Sequence, residues 1–434
     1  MRFVLLGAVF VFGLTGQTPP APVSPASPVS IDLHAAIDRA KAYSQQFLAS
    51  GTAAALARQD VVQAKSALLP SVSDFSQYIY TQGNGTPTGT FVANDGVHIY
   101  NQQALVHQDL FPIARRADYR RTIAAEAAAR ARQDIALRGL AATVMQNYYA
   151  VLISQRHLEN ARRSLDEAAR FLDITQKQER GGEVARADVV KARLQLQQRQ
   201  RDLLDSEVGV EKAKVQLGVM LFPDVDQPFT LVDDLSAETP LPPLAETRTA
   251  AFSANPDIRA AEAGVDQAGF ALKSAKGLYY PNVALDYFFG IDANQFAVYS
   301  QDRHQNIGSV VQGTLTVPVW NWGATRSKVE QAELQKRQAE ADLSIAKRQV
   351  QANLDGAYLE ARAARQQLDS LRESVNDAAE SLRLTLLRHE AGEAVALEVA
   401  DAQNTAAQSR NASDDGLTRY RLALANLQVL TGRF

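Results

Sequence analysis

Two parts of the chain carry an apolar residue at every seventh position over several heptads. In the first part these residues are Leu137, Val144, Val151, Leu158, Leu165 and Leu172, then, after a break at Gly181-Gly182, Val189, Leu196, Leu203, Val210 and Leu217. In the second part they are Leu354, Ala361, Leu368, Val375 and Leu382. A sustained seven-residue repeat is typical of coiled-coil packing, and a short break makes the two arms antiparallel. The pattern predicts long helices at about 113–179, 184–221, 323–390 and 393–430.

Two segments before the long helices alternate with a period of two. On one face lie Val283, Leu285, Tyr287, Phe289 and Ile291. On the other lie Asn282, Ala284, Asp286, Gly290 and Asp292, with Phe288 as an exception. This predicts strands at about 282–292 and 306–319, with more weakly alternating counterparts at about 71–81 and 97–111. The period and length are typical of transmembrane barrel strands, and Tyr279, Tyr280, Trp320 and Trp322 flank them as interfacial aromatic residues do.

The chain aligns with itself as a tandem duplication. Gly182-Glu183 matches Gly392-Glu393 at a shift of 392 − 182 = 210, and the same shift takes Tyr148 onto Tyr358. Self-similarity at a fixed period indicates repeated structural units. We therefore predict a first repeat at 31–221 and a second at 244–434. Between them, 222–243 is rich in Pro and Asp and is expected to be an irregular crossover.

The N-terminal residues have the order of a secretory signal peptide. Arg2 is followed by an apolar run over 3–14, and the small residues Thr15 and Gly16 come next. This predicts a signal peptide at 1–16 and a Pro-rich extended leader at 17–30. No later segment has the ~20 apolar residues of a membrane helix. The chain is expected to be exported and, if it spans a membrane, to do so with strands.

Composition argues against several classes of function. The formal net charge of −3 argues against general nucleic-acid binding. The absence of Cys excludes disulfides and thiolate metal sites, and the 6 His show no metal-ligand spacing. No phosphate-binding loop or nucleophile motif is present. We expect no catalytic, cofactor or metal site.

Four strands cannot close a barrel, and open sheet edges are not tolerated in lipid. A membrane-spanning form must therefore share its sheet between subunits, although this reasoning does not give their number. A periplasmic coiled-coil adaptor or scaffold without a barrel is the alternative. An adaptor needs only one helical hairpin, and a soluble scaffold needs neither a signal peptide nor alternating strands.

Taken together, the repeats resemble the TolC-type outer membrane factors over almost the whole mature chain. The resemblance rests on the duplication and on motifs around both helical turns and in the strand-to-helix and C-terminal segments, namely Arg180-Gly-Gly-Glu, Arg388-His-Glu-Ala-Gly-Glu, Pro318-Val-Trp-Asn-Trp-Gly and Ala423-Leu-Ala-Asn-Leu. It implies a mainly α-helical chain with a membrane β-barrel part, in which a homotrimer shares a twelve-stranded barrel in the outer membrane. It also implies a passive exit channel that docks on a periplasmic adaptor and an inner-membrane pump of RND or ABC type. Drugs, metal ions and proteins all remain possible substrates.

The resemblance also assigns roles to residues near the helical turns. Glu398 and Asp401 match the acids that ring the periplasmic constriction, and their i, i+3 spacing puts both on one helix face. Asp188 matches a position that helps to close the tip, with Arg186 and Arg388 as candidate partners. The adaptor-contact turns contain Arg180, Gly181, Gly182 and Gly392. Since Asp401 aligns with Lys191 in the first repeat, we expect the second hairpin to line the gate.

Overall fold

The computed structural model describes residues 29–80, 98–224, 227–237 and 239–432. The predicted signal peptide at 1–16 lies outside these residues, as do positions 17–28 of the predicted leader. Positions 81 and 97, at the far ends of the first two predicted strands, also lie outside them.

The two halves of the chain contain the same elements in the same order. The first half consists of β1 (Val29–Ile31), α1 (Leu33–Tyr43), α2 (Gln45–Ser66), β2 (Ser71–Tyr80), β3 (His98–Asp109), α3 (Ile113–Gly181) and α4 (Arg186–Leu221). The second half consists of β4 (Phe229–Leu231), α5 (Leu244–Ala254), α6 (Pro256–Gly277), β5 (Asn282–Ala293), β6 (Ile307–Thr316), α7 (Ala324–Glu390) and α8 (Ala396–Thr431). This arrangement confirms the predicted fold class of duplicated strand hairpins and long helical hairpins.

The strands form two separate sheets. An antiparallel four-stranded sheet has the order β2-β3-β5-β6, so the hairpins of the two repeats lie side by side. A second, parallel pair joins β1 to β4, with Ser30 opposite Thr230. The crossover, which we expected to be irregular, thus contains a short strand that ties it to the start of the first repeat.

Two helices, rather than one, precede each strand hairpin. In the first repeat the break is at Ser44, whose hydroxyl accepts a hydrogen bond from the Phe47 amide at 3.3 Å. In the second it is at Asn255, which caps α6 through the Asp257 amide at 2.8 Å, with Pro256 as the first helical residue. Such caps satisfy amides that have no partner within the helix. A kink is thus encoded at the same place in both repeats.

The long helices α3 and α7 have 69 and 67 residues, which at 1.5 Å per residue makes each about 100 Å long. Within the predicted heptad of α3, Val151 is buried, whereas Leu165 and Leu172 are half-buried. The buried residues in that lower half are instead Asn160, Ser164, Ala168, Phe171, Thr175 and Gln178. The reason is that α3 packs against α8 as well as α4. Among the described residues, no helix has a stretch that is long and apolar enough to cross a membrane.

The largest apolar core lies at mid-height, where β1 and β4 pack on α3. The Tyr148 hydroxyl donates to the Val232 carbonyl at 2.7 Å, and the Tyr149 hydroxyl donates to the Asp234 carboxylate at 3.1 Å. Burial is the main cause that raises the pKa of both phenols above the usual tyrosine value. Both tyrosines therefore stay protonated and fix the crossover against the long helix.

A close helix contact near the four-stranded sheet gives a first prediction. At Gly277, the last residue of α6, a Cβ atom would lie 2.9 Å from the Cα of Ala114. We expect Gly277→Ala to destabilise the protein by about 1–3 kcal/mol, because backbone must move to relieve the overlap. Gly269 in the same helix has nothing within 4 Å of such a Cβ, so Gly269→Ala should stabilise by roughly 0.5–1 kcal/mol. Denaturant unfolding measures both, and equal effects at the two sites would contradict the packing argument.

Candidate gate at the tips of the helical hairpins

Both helical hairpins end in the same type of turn. Gly182 and Gly392 have φ angles of 79° and 76°, in the left-handed region that glycine adopts without strain. The Glu183 amide donates to the Gln178 carbonyl at 2.9 Å, and the Glu393 amide donates to the Arg388 carbonyl at 2.7 Å. These are the bonds of a Schellman motif. The glycines therefore shape the turns that the sequence predicted as adaptor contacts, and Arg180 and Gly181 beside them are exposed.

The two predicted constriction acids lie at the start of α8. Glu398 and Asp401 are exposed, while Val399 between them is fully buried, so the helix turns both carboxylates away from the core. A Glu398 oxygen lies 3.3 Å from the Arg388 guanidinium, which also donates to the Glu393 carbonyl at 3.2 Å. Since this pair is exposed, it contributes little stability. Both acids thus lie on the exposed side of α8, and Glu398 has a neighbouring positive charge.

The residues predicted for tip closure are arranged differently from the sequence hypothesis. Asp188 lies 3.6 Å from Lys191, one turn along α4. Arg388, proposed as its partner, instead contacts Glu398 within the same chain. Arg186 is exposed beside Asp188. The assignment of Asp188, Arg186 and Arg388 to tip closure therefore stays a prediction, with Lys191 as a further participant.

Three buried residues at the tip did not appear among the sequence candidates. His389 is 2% exposed, and its ring lies 5.3 Å from that of Phe171 on α3. The Gln178 side chain, also on α3, donates to the His389 carbonyl at 3.0 Å. The signal was present in the sequence, because continuing the heptad of α7 by seven residues from Leu382 reaches position 389. These residues fasten the tip of the first hairpin to that of the second.

The same contact contains a fixed imidazole. Nδ1 of His389 lies 2.8 Å from the Ala394 carbonyl, and because a carbonyl only accepts, Nδ1 carries the proton. Nε2 of His389 and Oε1 of Gln178 are buried without a hydrogen-bond partner among the described residues. Each unsatisfied polar atom lowers the stability of its surroundings. The tip contact is therefore weaker than an apolar contact of the same size.

Above the tip, the seam between the two hairpins is largely polar. The Asn160 amide donates to Asn411 at 3.0 Å and to Asp414 at 2.8 Å, and Arg410 pairs with Glu167 at 2.7 Å. Within each hairpin, by contrast, the buried contacts are mostly apolar, as at Leu368. Hydrogen bonds in a seam can be exchanged for bonds to water when helices slide, whereas apolar contacts cannot. The seam is the place where one hairpin could move against the other.

The chain is similar to known outer-membrane proteins. Outer membrane protein OprJ of Pseudomonas aeruginosa is 27% identical over 176 residues, which are 40% of this chain and 36% of OprJ. The match thus spans about a third of that relative's length. The Campylobacter jejuni CmeC outer membrane channel superposes with a TM-score of 0.78 at 15% identity, covering 92% of this chain and 85% of that chain. The outer membrane protein VceC of Vibrio cholerae superposes with a TM-score of 0.78 at 16% identity, covering 92% of this chain and 96% of that chain.

A family model described as "Outer membrane efflux protein" matches the chain twice, at 36–221 and at 248–433. The two matches fall in the first and second repeats, so each repeat carries the family pattern separately. This confirms the resemblance found in the sequence and the predicted outer-membrane location. The chain belongs to the outer membrane efflux protein family.

Proposed function

We propose that this chain forms, as a homotrimer, the passive exit channel of a tripartite efflux or type I secretion system. The observation that carries the proposal is the four-stranded sheet, whose edge strands are β2 and β6. In lipid those edges need partners, and each chain can supply only one β2 and one β6. Three copies supply 3 × 4 = 12 strands in one closed barrel. The long helices then continue the channel into the periplasm.

The remaining parts of the proposal concern partners. The chain contains no phosphate-binding loop with which to use a nucleotide. A pump in the inner membrane, of RND or ABC type, would therefore supply the energy for transport. A periplasmic adaptor would grip the turns around Arg180, Gly182 and Gly392, which are exposed at the hairpin tips. The alternative, an adaptor or scaffold without a barrel, accounts neither for the four-stranded sheet nor for the family match in both repeats.

Gating follows from the weak contacts near the tip. In the closed state, the Phe171–His389 contact and the polar seam hold the second hairpin against the first. Outward movement of the second hairpin would break these contacts and widen the tunnel. Three copies of Glu398 and Asp401 would place six carboxylates around its narrow end, and such a ring attracts cations.

One experiment tests both the channel and its gate. The purified protein is inserted into planar lipid bilayers, and the variant Glu398→Gln/Asp401→Asn is compared with the wild type. We expect the wild type to conduct with a preference for cations. The double variant should lose that preference severalfold and conduct more, because both the negative ring and the Arg388–Glu398 pair are removed.

The matched control is Glu340→Gln/Asp342→Asn, which removes the same two charges from exposed positions on α7 far from the tip. Its cation preference should stay close to that of the wild type. Absence of any conductance from the wild type would contradict the proposal that the chain forms a channel. Equal selectivity in all three proteins would contradict the acidic gate alone.

A further inference from the structure

Cross-strand pairing sorts the side chains of the four-stranded sheet onto two faces. Tyr287 pairs with Val106 and Val311, and Phe289 pairs with Ala104 and Ser309. Tyr287 and Phe289 are 40% and 52% exposed. This mainly apolar side is the lipid face of a closed barrel. The opposite side, which contains Asp286, is the lumen face, as expected for a barrel with a polar interior.

The lumen face contains an apolar row at Phe288, the residue that interrupts the alternation of β5. Phe288 pairs with Leu105 on β3 and with Val310 on β6, so three apolar side chains lie side by side on neighbouring strands. Strands are about 4.8 Å apart, so the row is roughly 10 Å wide in each chain. Val310 is 57% exposed. We call Leu105, Phe288 and Val310 the lumen band.

Carboxylates lie on both sides of the lumen band. Asp286, two residues before Phe288 and about 7 Å away along the strand, pairs with Gln312 and receives a hydrogen bond from Nδ1 of His107 at 2.6 Å. Asp292 lies on the same face beyond the band. Strands β2, β3, β5 and β6 contain no Lys or Arg. The barrel wall around the band is therefore net negative.

A further carboxylate of the lumen face is compensated. Asp109, next to the start of α3, is 6% exposed and lies 2.7 Å from the Arg115 guanidinium. Asn282 donates to the same carboxylate at 3.0 Å. Because a buried, paired carboxylate contributes little field beyond its partner, the charge available to a ligand comes from Asp292 and, when His107 is uncharged, from Asp286.

One of two neighbouring glycines leaves space next to the lumen band, and the other lies tightly against backbone. Gly290 and Gly308 are a cross-strand pair, one row beyond Phe288 and Val310 on the same face. At Gly290 a side chain is not possible, because its Cβ atom would lie 2.1 Å from the Gln102 carbonyl oxygen. At Gly308 a Cβ atom would meet nothing within 4 Å. The band thus borders an open notch at Gly308.

We propose that the lumen band, its notch and its carboxylates form a binding site for amphiphilic cations inside the barrel. The apolar body of the ligand packs on Leu105, Phe288 and Val310, and its positive charge lies towards Asp286. The aromatic face of Phe288 also attracts cations. An anion of the same shape is repelled, and a hydrated metal ion gains nothing from the apolar residues. The inference rests on the proposed function, because the lumen exists only in a closed trimer.

The test measures binding of tetraphenylphosphonium to the full chain in lipid nanodiscs by equilibrium dialysis, with empty nanodiscs as background. We expect saturable binding that is about tenfold weaker in Phe288→Ser and in Gly308→Phe, which remove the band or fill the notch. Asp286→Asn should weaken it about fivefold. Tetraphenylborate, an anion of the same shape, should show no saturable binding above background.

The lipid face supplies matched controls. Gly313 is also in β6 and also has open space around a Cβ atom, but it pairs with Leu285 on the lipid face. Asp74 pairs with Ala104 on that face, and the Gln102 amide donates to its carboxylate at 2.8 Å. Gly313→Phe and Asp74→Asn should therefore bind like the wild type.

Three results would overturn the site, namely no saturable binding, equal binding of both probes, or equal weakening in the lipid-face controls. A trimer that conducts ions in bilayers but gives any of these results overturns this inference alone. A chain that neither forms a trimer nor conducts overturns the proposed function.

Discussion

Replacing Phe171 with Ala is expected to open the tip of the channel. Phe171 is 1% exposed and packs on Ala192 of α4 and on Ala396 and Val399 of α8, besides the ring of His389. Deletion of a buried phenyl ring costs about 3–5 kcal/mol, since apolar contacts are lost and a cavity is left. The loss falls on the contact that joins the two hairpins, which already contains unsatisfied polar atoms.

The expected result is a higher resting conductance in planar bilayers and faster hydrogen exchange at the hairpin tips. Leu387→Ala is the matched control, because Leu387 lies on α7 close to the same turn but is 50% exposed. Its effect on stability should be within about 0.5 kcal/mol. Unchanged exchange at the tip in Phe171→Ala would show that this contact does not hold the gate closed.

The helical part of the fold could be predicted because its period is long and repeated. Many apolar residues in register, from Leu137 to Leu172, determine a coiled coil regardless of the details of packing. The period does not show which neighbouring helix packs on each face of a long helix, or how deeply each residue is buried. Since α3 lies between α4 and α8, its buried positions in the lower half lie beside the repeat and include Ser164, Phe171 and Gln178. His389 continues the repeat of α7, but the buried polar residues of α3, which lie beside its apolar repeat, could be found only once the neighbouring helices were known.

Short and distant contacts were beyond the sequence. Strand β4 has 3 residues, too few to show a period of two, and its partner β1 lies almost the whole first repeat away. The sequence named Arg186 and Arg388 as candidate partners of Asp188, which stays a prediction, and within its own hairpin the Arg388 guanidinium lies beside Glu398. The sequence shows that acidic and basic residues lie near each other, but only the structure shows which of them form an ion pair.

Phe288 is the converse case, because its exception was visible in the sequence and only the strand pairing explained it. As an exception to an alternating strand it had no explanation. The register of the sheet places it between Leu105 and Val310, where three residues from separate parts of the chain form one surface. A break in a pattern is thus most informative when its neighbours across the sheet break the pattern as well.

Replacing Arg421 with Ala is expected to release the crossover from the helices. Its guanidinium donates to the Ala237 carbonyl and the Thr239 hydroxyl at 2.7 Å each, and also to the Asp234 carbonyl. Hydrogen bonds from a charged donor contribute about 1.5–3 kcal/mol each. The three acceptors, of which Asp234 and Thr239 are half-buried and Ala237 is exposed, lose their partner together. We expect a destabilisation of about 3–5 kcal/mol, measured by denaturant unfolding, and faster exchange of the amides around β4.

Arg421→Lys should recover only a small part of this loss, because one ammonium group cannot reproduce the planar fork that contacts several oxygens at once. The control is Arg419→Ala, two residues earlier on α8, where the guanidinium forms an exposed pair with Glu360. An exposed pair contributes little, so this variant should unfold nearly as the wild type does. If Arg421→Ala and Arg419→Ala behaved alike, the crossover would have to be held by its other contacts, among them those of Tyr148 and Tyr149. Amide hydrogen exchange at β4 would then become faster in Tyr148→Phe, which removes the hydrogen bond to the Val232 carbonyl. It would stay unchanged in Arg421→Ala.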